Sequence, residues 1–222
     1  MNNPDFYFKQ LYPFQDQVLK IIRQVETGFY LTGGTAASRG YLQHRFSDDL
    51  DFFINDDDRF GLWVERLIQA LSQSSRNWQC QVLMKEERFA HLNLITGGLQ
   101  LKIEMVNDVP ARVGEVQDNP ILGRLDTAEN ILANKVTALL DREEPKDLAD
   151  IWGFCCQMKL SLQDAITHAE SKAAGVFPAD LARLLCSATA EDWQVIRWIE
   201  APPAEKFLGQ LNDLGEQLLL LS

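Results

Sequence analysis

The sequence has no apolar run approaching the roughly 20 residues that a membrane-spanning helix needs. Its first residues, MNNPDFYFKQLYPF, lack the basic-then-apolar layout of a signal peptide. The expectation is a cytoplasmic protein with no membrane association. Cysteine is scarce: Cys80, Cys155, Cys156 and Cys186 form no C-x-x-C pair, which argues against a zinc site and against a disulfide framework. They read as small buried hydrophobes. The three histidines, His44, His91 and His168, are scattered and make no ligand cluster. Basic charge is in deficit, with 21 Lys and Arg against 32 Asp and Glu and a net charge of −11. A broad nucleic-acid-coating surface needs the opposite balance. A surplus of carboxylates suits a site that gathers acids around a divalent metal, although most of them serve as solvated surface. There is no repeat, low-complexity tract or Gly/Ser linker.

What is present is an ordinary globular composition, 46% hydrophobic and 24% charged over 222 residues, enough for one large domain or two small ones. Phe14 to Glu26 reads as a helix with Val18, Ile21, Ile22 and Val25 on one face. Phe29-Tyr30-Leu31 is a short strand running into Gly33-Gly34, and Thr35 to Leu42 fits a helix starting after the glycines. Asp49 to Ile54 is a strand and Phe60 to Ser72 an amphipathic helix. Strand-like stretches follow at Trp78–Met84, Arg88–Ile95 and Leu99–Val106, with a hairpin signal at Thr96-Gly97-Gly98. From about residue 120 the patterns are helical. Asp126 reads as an N-cap, with Glu129 completing a capping box. That helix runs to about Asp141, and Pro145 opens another that continues to about Met158. Further helices are expected at Ser161–Lys172, Pro178–Ala188, Ala190–Ile199 and Pro203–Leu220, contributing packing.

The informative stretch is Leu31-Thr32-Gly33-Gly34-Thr35, followed by Ser47-Asp48-Asp49-Leu50-Asp51-Phe52-Phe53. Residues two apart in a strand share a face at about 6.6 Å, so Asp49 and Asp51 project together. Leu50, Phe52 and Ile54 project into a core. Two carboxylates on one face of an apolar strand are costly unless neutralised, and magnesium, a hard cation that prefers oxygen ligands, is a natural partner. Gly33-Gly34 leaves backbone N–H groups open to a phosphate, the following helix adds its positive end, and Thr35 adds a hydroxyl. A phosphate cradle beside a metal-binding acid pair is the minimum equipment for phosphoryl or nucleotidyl transfer. Glu104, on the polar face of the Leu99–Val106 strand with Lys102 beside it, is a candidate third metal ligand or general base. Each feature also has a plainer reading: a lone Gly-Gly is a turn, a lone D-x-D an exposed edge, and Lys102 a solvent-side neighbour of Glu104. Their pairing across a short helix favours the enzymatic reading.

The stretch GGTAASRGYLQHRFSDDLDFF resembles the GG(T/S)…S-x-D-L-D-F signature of the AbiEii/AbiGii-type nucleotidyltransferases, a family of the polymerase-β-like superfamily that includes toxins of type IV toxin–antitoxin systems. A second block, Glu129 to Arg142 and then Lys146 to Ile151, is similar to that family's K-x-x-A-L…R…(R/K)-D-x-x-D helical motifs. The resemblance implies that Gly33 and Gly34 bind a triphosphate, with Ser47 supporting the loop before the acid pair. It implies that Asp49 and Asp51 hold Mg²⁺, that Lys135 meets the phosphates, and that Asp147, with Asp150 nearby, completes the site. The superfamily's third carboxylate is usually Asp, whereas the candidate here is Glu104. Read from the residues alone, Lys135 interrupts the apolar stripe of Ile131 and Leu139 and calls for an anion, either a phosphate or a structural carboxylate such as Asp147. Asp147 and Asp150 equally suit helix-surface pairs with Lys146 and Arg142, and His44-Arg45, just before the acid pair, reads as a surface ion pair, with a place lining the cleft as the alternative.

The expected fold is α+β: a polymerase-β-like nucleotidyltransferase core over residues 1–122, a small mixed sheet with helices, followed by a helical domain over residues 123–222 that closes the cleft. The expected reaction is transfer of NMP from a Mg²⁺-bound NTP, such as ATP, to an acceptor hydroxyl. The resemblance suggests RNA, particularly tRNA ends, as acceptor, and a neighbouring antitoxin as partner. Alternatives are a nucleotidyltransferase acting on a small-molecule or protein hydroxyl, a catalytically silent nucleotide-sensing module, and a structural interaction protein in which the acids are surface decoration.

Overall fold

Period-two alternation sets the strands of the sheet. In β2 (Leu50–Asn55), Leu50, Phe52 and Ile54 are buried while Asp51, Phe53 and Asn55 are partly exposed. In β5 (Leu99–Asp108), Leu101, Ile103 and Met105 are fully buried and Lys102, Glu104 and Val106 are not. One face of each strand therefore enters a core and the other stays accessible. The computed structural model describes residues 3–73 and 78–221. The other strands are β1 (Tyr30–Thr32), β3 (Gln79–Lys85), β4 (Phe89–Thr96), β6 (Gln117–Asn119) and β7 (Gly123–Leu125). Among the described residues, these seven strands form one mixed sheet in the order β3-β4-β5-β2-β1-β7-β6. Strand β2 is antiparallel to β1 and parallel to β5. The expected hairpin joins β4 to β5 through Gly97 and Gly98, both with positive φ, which this two-residue turn requires.

The chain divides into two units. The first comprises Met1–Ala36, Ser47–Pro110 and Glu115–Asp126; the second comprises Ala37–Phe46, Ala111–Gly114 and Thr127–Ser222. In the first, helices α1 (Pro4–Phe6), α2 (Tyr12–Ile22), α3 (Gly33–Thr35) and α4 (Phe60–Gln73) accompany the sheet. A π-helical turn, Tyr7–Leu11, joins α1 to α2. Val18, Leu19 and Ile22 of α2 and Trp63, Val64, Leu67 and Leu71 of α4 are buried. The buried face of α2 includes Leu19 rather than Ile21, and the helix starts at Tyr12. Strand β3 lies at the sheet's edge, with exposed Val82, Leu83 and Met84 and an irregular register between Val82 and Met84.

The second unit holds α5 (Ala128–Arg142), α6 (Pro145–Trp152), α7 (Leu162–Glu170), α8 (Pro178–Cys186), α9 (Ala190–Val195) and α10 (Ala204–Leu221). A π-helical turn at Gly153–Gln157 extends α6, as the sequence pattern implied. Trp152, Trp198 and Phe207 meet edge to face, with ring centroids 5.3–6.0 Å apart. Helix α9 ends earlier than the periodicity indicates because the chain turns extended: Trp198 bridges antiparallel to Arg45, and Phe46 N–H donates to the Arg197 carbonyl at 2.7 Å. Cys155 is buried, Cys80 and Cys156 are half-buried, and Cys186 is exposed; all four are free thiols, so only Cys155 matches the buried reading fully. No helix among the described residues is long and apolar enough to cross a membrane.

The start of α5 corrects one expectation. Its N-cap is Thr127, whose hydroxyl accepts from Asn130 N–H at 3.2 Å and donates to the Val113 carbonyl at 2.7 Å. Asp126 is instead fully buried beside β1, accepting from the Thr32 hydroxyl at 2.7 Å while its own N–H donates to Leu31. The strand takes the carboxylate that the local pattern assigns to the helix. Thr127→Ala is expected to lower stability by about 1–2 kcal/mol. Thermal unfolding checks this, and an unchanged melting temperature would remove Thr127 from the capping role.

Candidate active site

Three carboxylates lie on the accessible face around β2 and β5. Asp51 lies opposite Thr32 of β1 on one side and opposite Glu104 of β5 on the other. Asp49 immediately precedes β2. A single ammonium, Lys102 Nζ, reaches Asp49 Oδ2 at 3.1 Å and Glu104 Oε2 at 3.2 Å. All three of these side chains are about one-third exposed. Partial burial pulls the Lys102 pKa down, but Asp49 and Glu104 outweigh it and hold it above its ordinary value. Lys102 is thus the cation between two acids rather than a solvent-side neighbour of one.

Gly33 sits where β1 gives way to α3, with φ at +65°. A Cβ placed there would come within 2.2 Å of Asp51 Oδ2. The absent side chain is therefore the room that the Asp51 carboxylate occupies, and the glycine turn and the acid strand touch. After α3 the chain continues as a π-helical turn, Ala36–Leu42. Thr35 is fully buried, and its hydroxyl donates to the Asp49 carbonyl at 2.5 Å. That proton, which the sequence pattern directs at a phosphate, ties the acid loop to the glycine turn.

The loop before β2 is held by residues that the sequence does not flag. Gln15 of α2, wholly buried, donates from Nε2 to the carbonyls of Ser47 at 3.3 Å and Asp48 at 2.9 Å. Ser47 N–H donates to the Tyr12 hydroxyl at 3.3 Å. Ser47, itself buried, supports the loop through its backbone. A glutamine in an apolar helix stripe is the one signal that could have marked Gln15.

Lys135, Asp147 and Asp150 belong to the second unit, where they form a buried ionic cluster. Lys135 Nζ lies 2.8 Å from Asp147 Oδ1 and 2.6 Å from Asp150 Oδ2. Arg45 grips Asp150 through two 2.7 Å bonds, from Nε and one terminal nitrogen, and His44 Nε2 lies 2.9 Å from the same carboxylate. Arg142 holds Asp147 at 2.8 and 3.0 Å. The structural carboxylate that the sequence offers Lys135 is thus in place at Asp147, joined by Asp150. The pairing of His44-Arg45 and of the two aspartates is not a surface one, since all four side chains are at least nine-tenths buried; Lys146 pairs with Glu144 instead.

Burial alone would raise both aspartates. Arg45 and Lys135 outweigh it at Asp150, and Lys135 and Arg142 at Asp147, so both stay ionised well within the acidic range. Burial alone would lower Lys135, yet Asp150 and Asp147 hold it above its ordinary value. At His44 burial prevails over Asp150 and keeps the ring neutral at and below its usual pKa, with Nδ1 buried and unpartnered.

The first unit's oxygen donors suit Mg²⁺, which takes one or two carboxylates and completes its shell with water and substrate phosphate. Among the described residues, no group of three His, Cys, Asp or Glu side chains is placed to hold a metal by itself.

A mixed sheet thus carries Asp51 on β2, Asp49 just before that strand, and a helix-initiating Gly-Gly at the end of β1. Solved structures agree on the fold. JHP933 from Helicobacter pylori is 19% identical with a TM-score of 0.66, covering 95% of this chain and 92% of that one. A nucleotidyltransferase toxin from Mycobacterium tuberculosis, MenT4, is 17% identical with a TM-score of 0.64, covering 96% and 84%. Sequence comparison with curated proteins finds no match. The family model described as nucleotidyl transferase AbiEii toxin, type IV TA system, matches residues 20–194, and the chain belongs to that family.

Two outcomes follow for the ionic cluster. Asp150→Asn leaves Arg45 and Lys135 buried and undercompensated, and is expected to cost about 3–5 kcal/mol in urea unfolding. The folded pKa of His44 lies below its unfolded value of 6.5. Its contribution is therefore complete above pH 6.5 and is lost as pH falls from there toward the folded value. The depressed aspartates add a second loss only below their ordinary 3.8. Unfolding free energies measured between pH 8 and 5 are expected to fall more steeply for the wild type than for His44→Gln; equal slopes would refute the assignment.

Proposed function

We propose that the chain transfers a nucleoside monophosphate from a Mg²⁺-bound NTP to an acceptor hydroxyl, and that it acts as a toxin on RNA. The observation that carries this is the contact between Asp51 and Gly33, which joins an acid strand to a glycine turn at van der Waals distance. Asp49 and Asp51 are the residues that would hold the metal, with Glu104 as a third oxygen donor or as the base for the acceptor proton. Bound there, Mg²⁺ supplies Lewis-acid stabilisation of the charge developing on the triphosphate. Gly33 and Gly34 present backbone N–H groups to that triphosphate. Thr35, Gln15 and the Ser47 backbone keep the acids facing the turn. The acceptor oxygen forms a bond to the α-phosphorus as the bond to pyrophosphate breaks, and catalysis is positioning plus electrostatics.

Lys135 and Asp147 enter this reading as positioning residues that fix α5 against α6 within the second unit. Membership of a type IV toxin–antitoxin family supports RNA as acceptor and an antitoxin encoded alongside. The net charge of −11 favours a second reading, in which the acceptor is a small molecule.

Incubation with labelled ATP, CTP, GTP and UTP against total RNA, and separately against a small-metabolite pool, tests both. Label is expected to enter RNA, to require Mg²⁺, and to fall on the order of a hundredfold or more in Asp51→Asn. Label confined to small molecules would select the second reading. Binding of NTP without transfer to either pool would leave only a nucleotide sensor.

A further inference from the structure

Lys102 is placed where a metal ion would compete with it. It lies two residues before Glu104 on the same face of β5, and its ammonium bridges carboxylates from two separate segments, Asp49 ahead of β2 and Glu104 on β5. Asp51, paired in register with Glu104, brings a third carboxylate to the same face. The Lys102 ammonium thus stands between the carboxylates of Asp49 and Glu104. Like-charge repulsion would drive these acids apart if the ammonium left with nothing in its place. A divalent cation satisfying the same oxygens would in turn repel the ammonium, so the two cations exclude each other from Asp49 and Glu104.

We propose that Lys102 is an internal counter-ion. It keeps the acid cluster assembled without nucleotide, competes with divalent metal for Asp49 and Glu104, and makes tight metal entry depend on a triphosphate. This rests on the reading of Asp49 and Asp51 as the metal-holding pair. The ammonium is suited to the exchange because it is a point charge on a flexible four-carbon stem, able to leave two carboxylates for the anionic oxygens of an incoming phosphate. Metal and nucleotide then bind with positive coupling, each raising the affinity for the other. A lysine serving only to brace β5 against the segment before β2 would affect stability and leave metal affinity unchanged.

The test is direct binding of Mn²⁺, followed by the electron paramagnetic resonance of the free ion, with and without a non-hydrolysable ATP analogue. Lys102→Met is expected to bind Mn²⁺ about tenfold more tightly than wild type without nucleotide, and to gain less from the analogue. Lys102→Arg, which keeps the charge, is expected to stay within about threefold of wild type. In chelator, Lys102→Met should melt at a lower temperature than wild type and recover more on Mn²⁺ addition. Equal or weaker Mn²⁺ binding by Lys102→Met overturns the counter-ion role. The double variant Asp49→Asn, Asp51→Asn separates the two levels. Loss of Mn²⁺ in that variant with no effect at Lys102 sinks the counter-ion alone. Wild-type binding in that variant sinks the metal-holding pair, and the counter-ion with it.

Discussion

Strand β2 is hydrogen-bonded along both edges, antiparallel to β1 and parallel to β5, and those two pairings set the register of the candidate site. Because side chains alternate with period two, one register places Leu50, Phe52 and Ile54 in the core and Asp51 on the open face; a slip of one residue would bury the acid and expose the apolar set. The same register sets Asp51 beside Glu104 and brings it against Gly33. Thr35 then clamps the entrance to the strand, and Gln15 clamps the loop before it. The placement of the acids on this face therefore rests on a packing decision made on the opposite face.

The second unit solves a different electrostatic problem. Asp147 and Asp150, one helical turn apart on α6, are both sealed from water, and either alone would be prohibitively unfavourable. Arg45, Lys135 and Arg142 compensate them with short, mostly charge-assisted contacts. Neutral His44 adds a hydrogen bond without adding charge. The cluster draws together α5, α6 and the extended segment that bridges Trp198. An ion pair of this kind gains little over a well-packed apolar core, but removing one partner leaves the other as an uncompensated buried charge.

Much of the fold was legible because it is written in local period. The alternation of β2, β4 and β5, the Gly97-Gly98 turn and the helical stripes of α4 and α5 all appear in short windows. Strands β6 and β7 did not, since three residues carry too little alternation to register, and β7 joins the sheet through a parallel pairing with β1 some 94 residues away in sequence at Leu31 and Leu125. The site follows the same rule. Asp49, Asp51, Gly33 and Glu104 were readable from type and spacing. The bridging role of Lys102, the Gln15 clamp and the Arg45–Asp150 pair were not, because each joins segments whose closeness depends on the folded chain. Asp126 is the instructive case: its local pattern fits a helix cap, and a tertiary bond to Thr32 claims it.

The two units are interleaved along the chain, which passes between them after Ala36, Phe46, Pro110, Gly114 and Asp126. No single cut releases either one as an uninterrupted stretch. During synthesis the sheet-bearing unit lacks its last segment until residue 126 has emerged, and its partner, already begun at Ala37, waits for the final helices. Recombination that swaps contiguous gene fragments would hand neither part over intact.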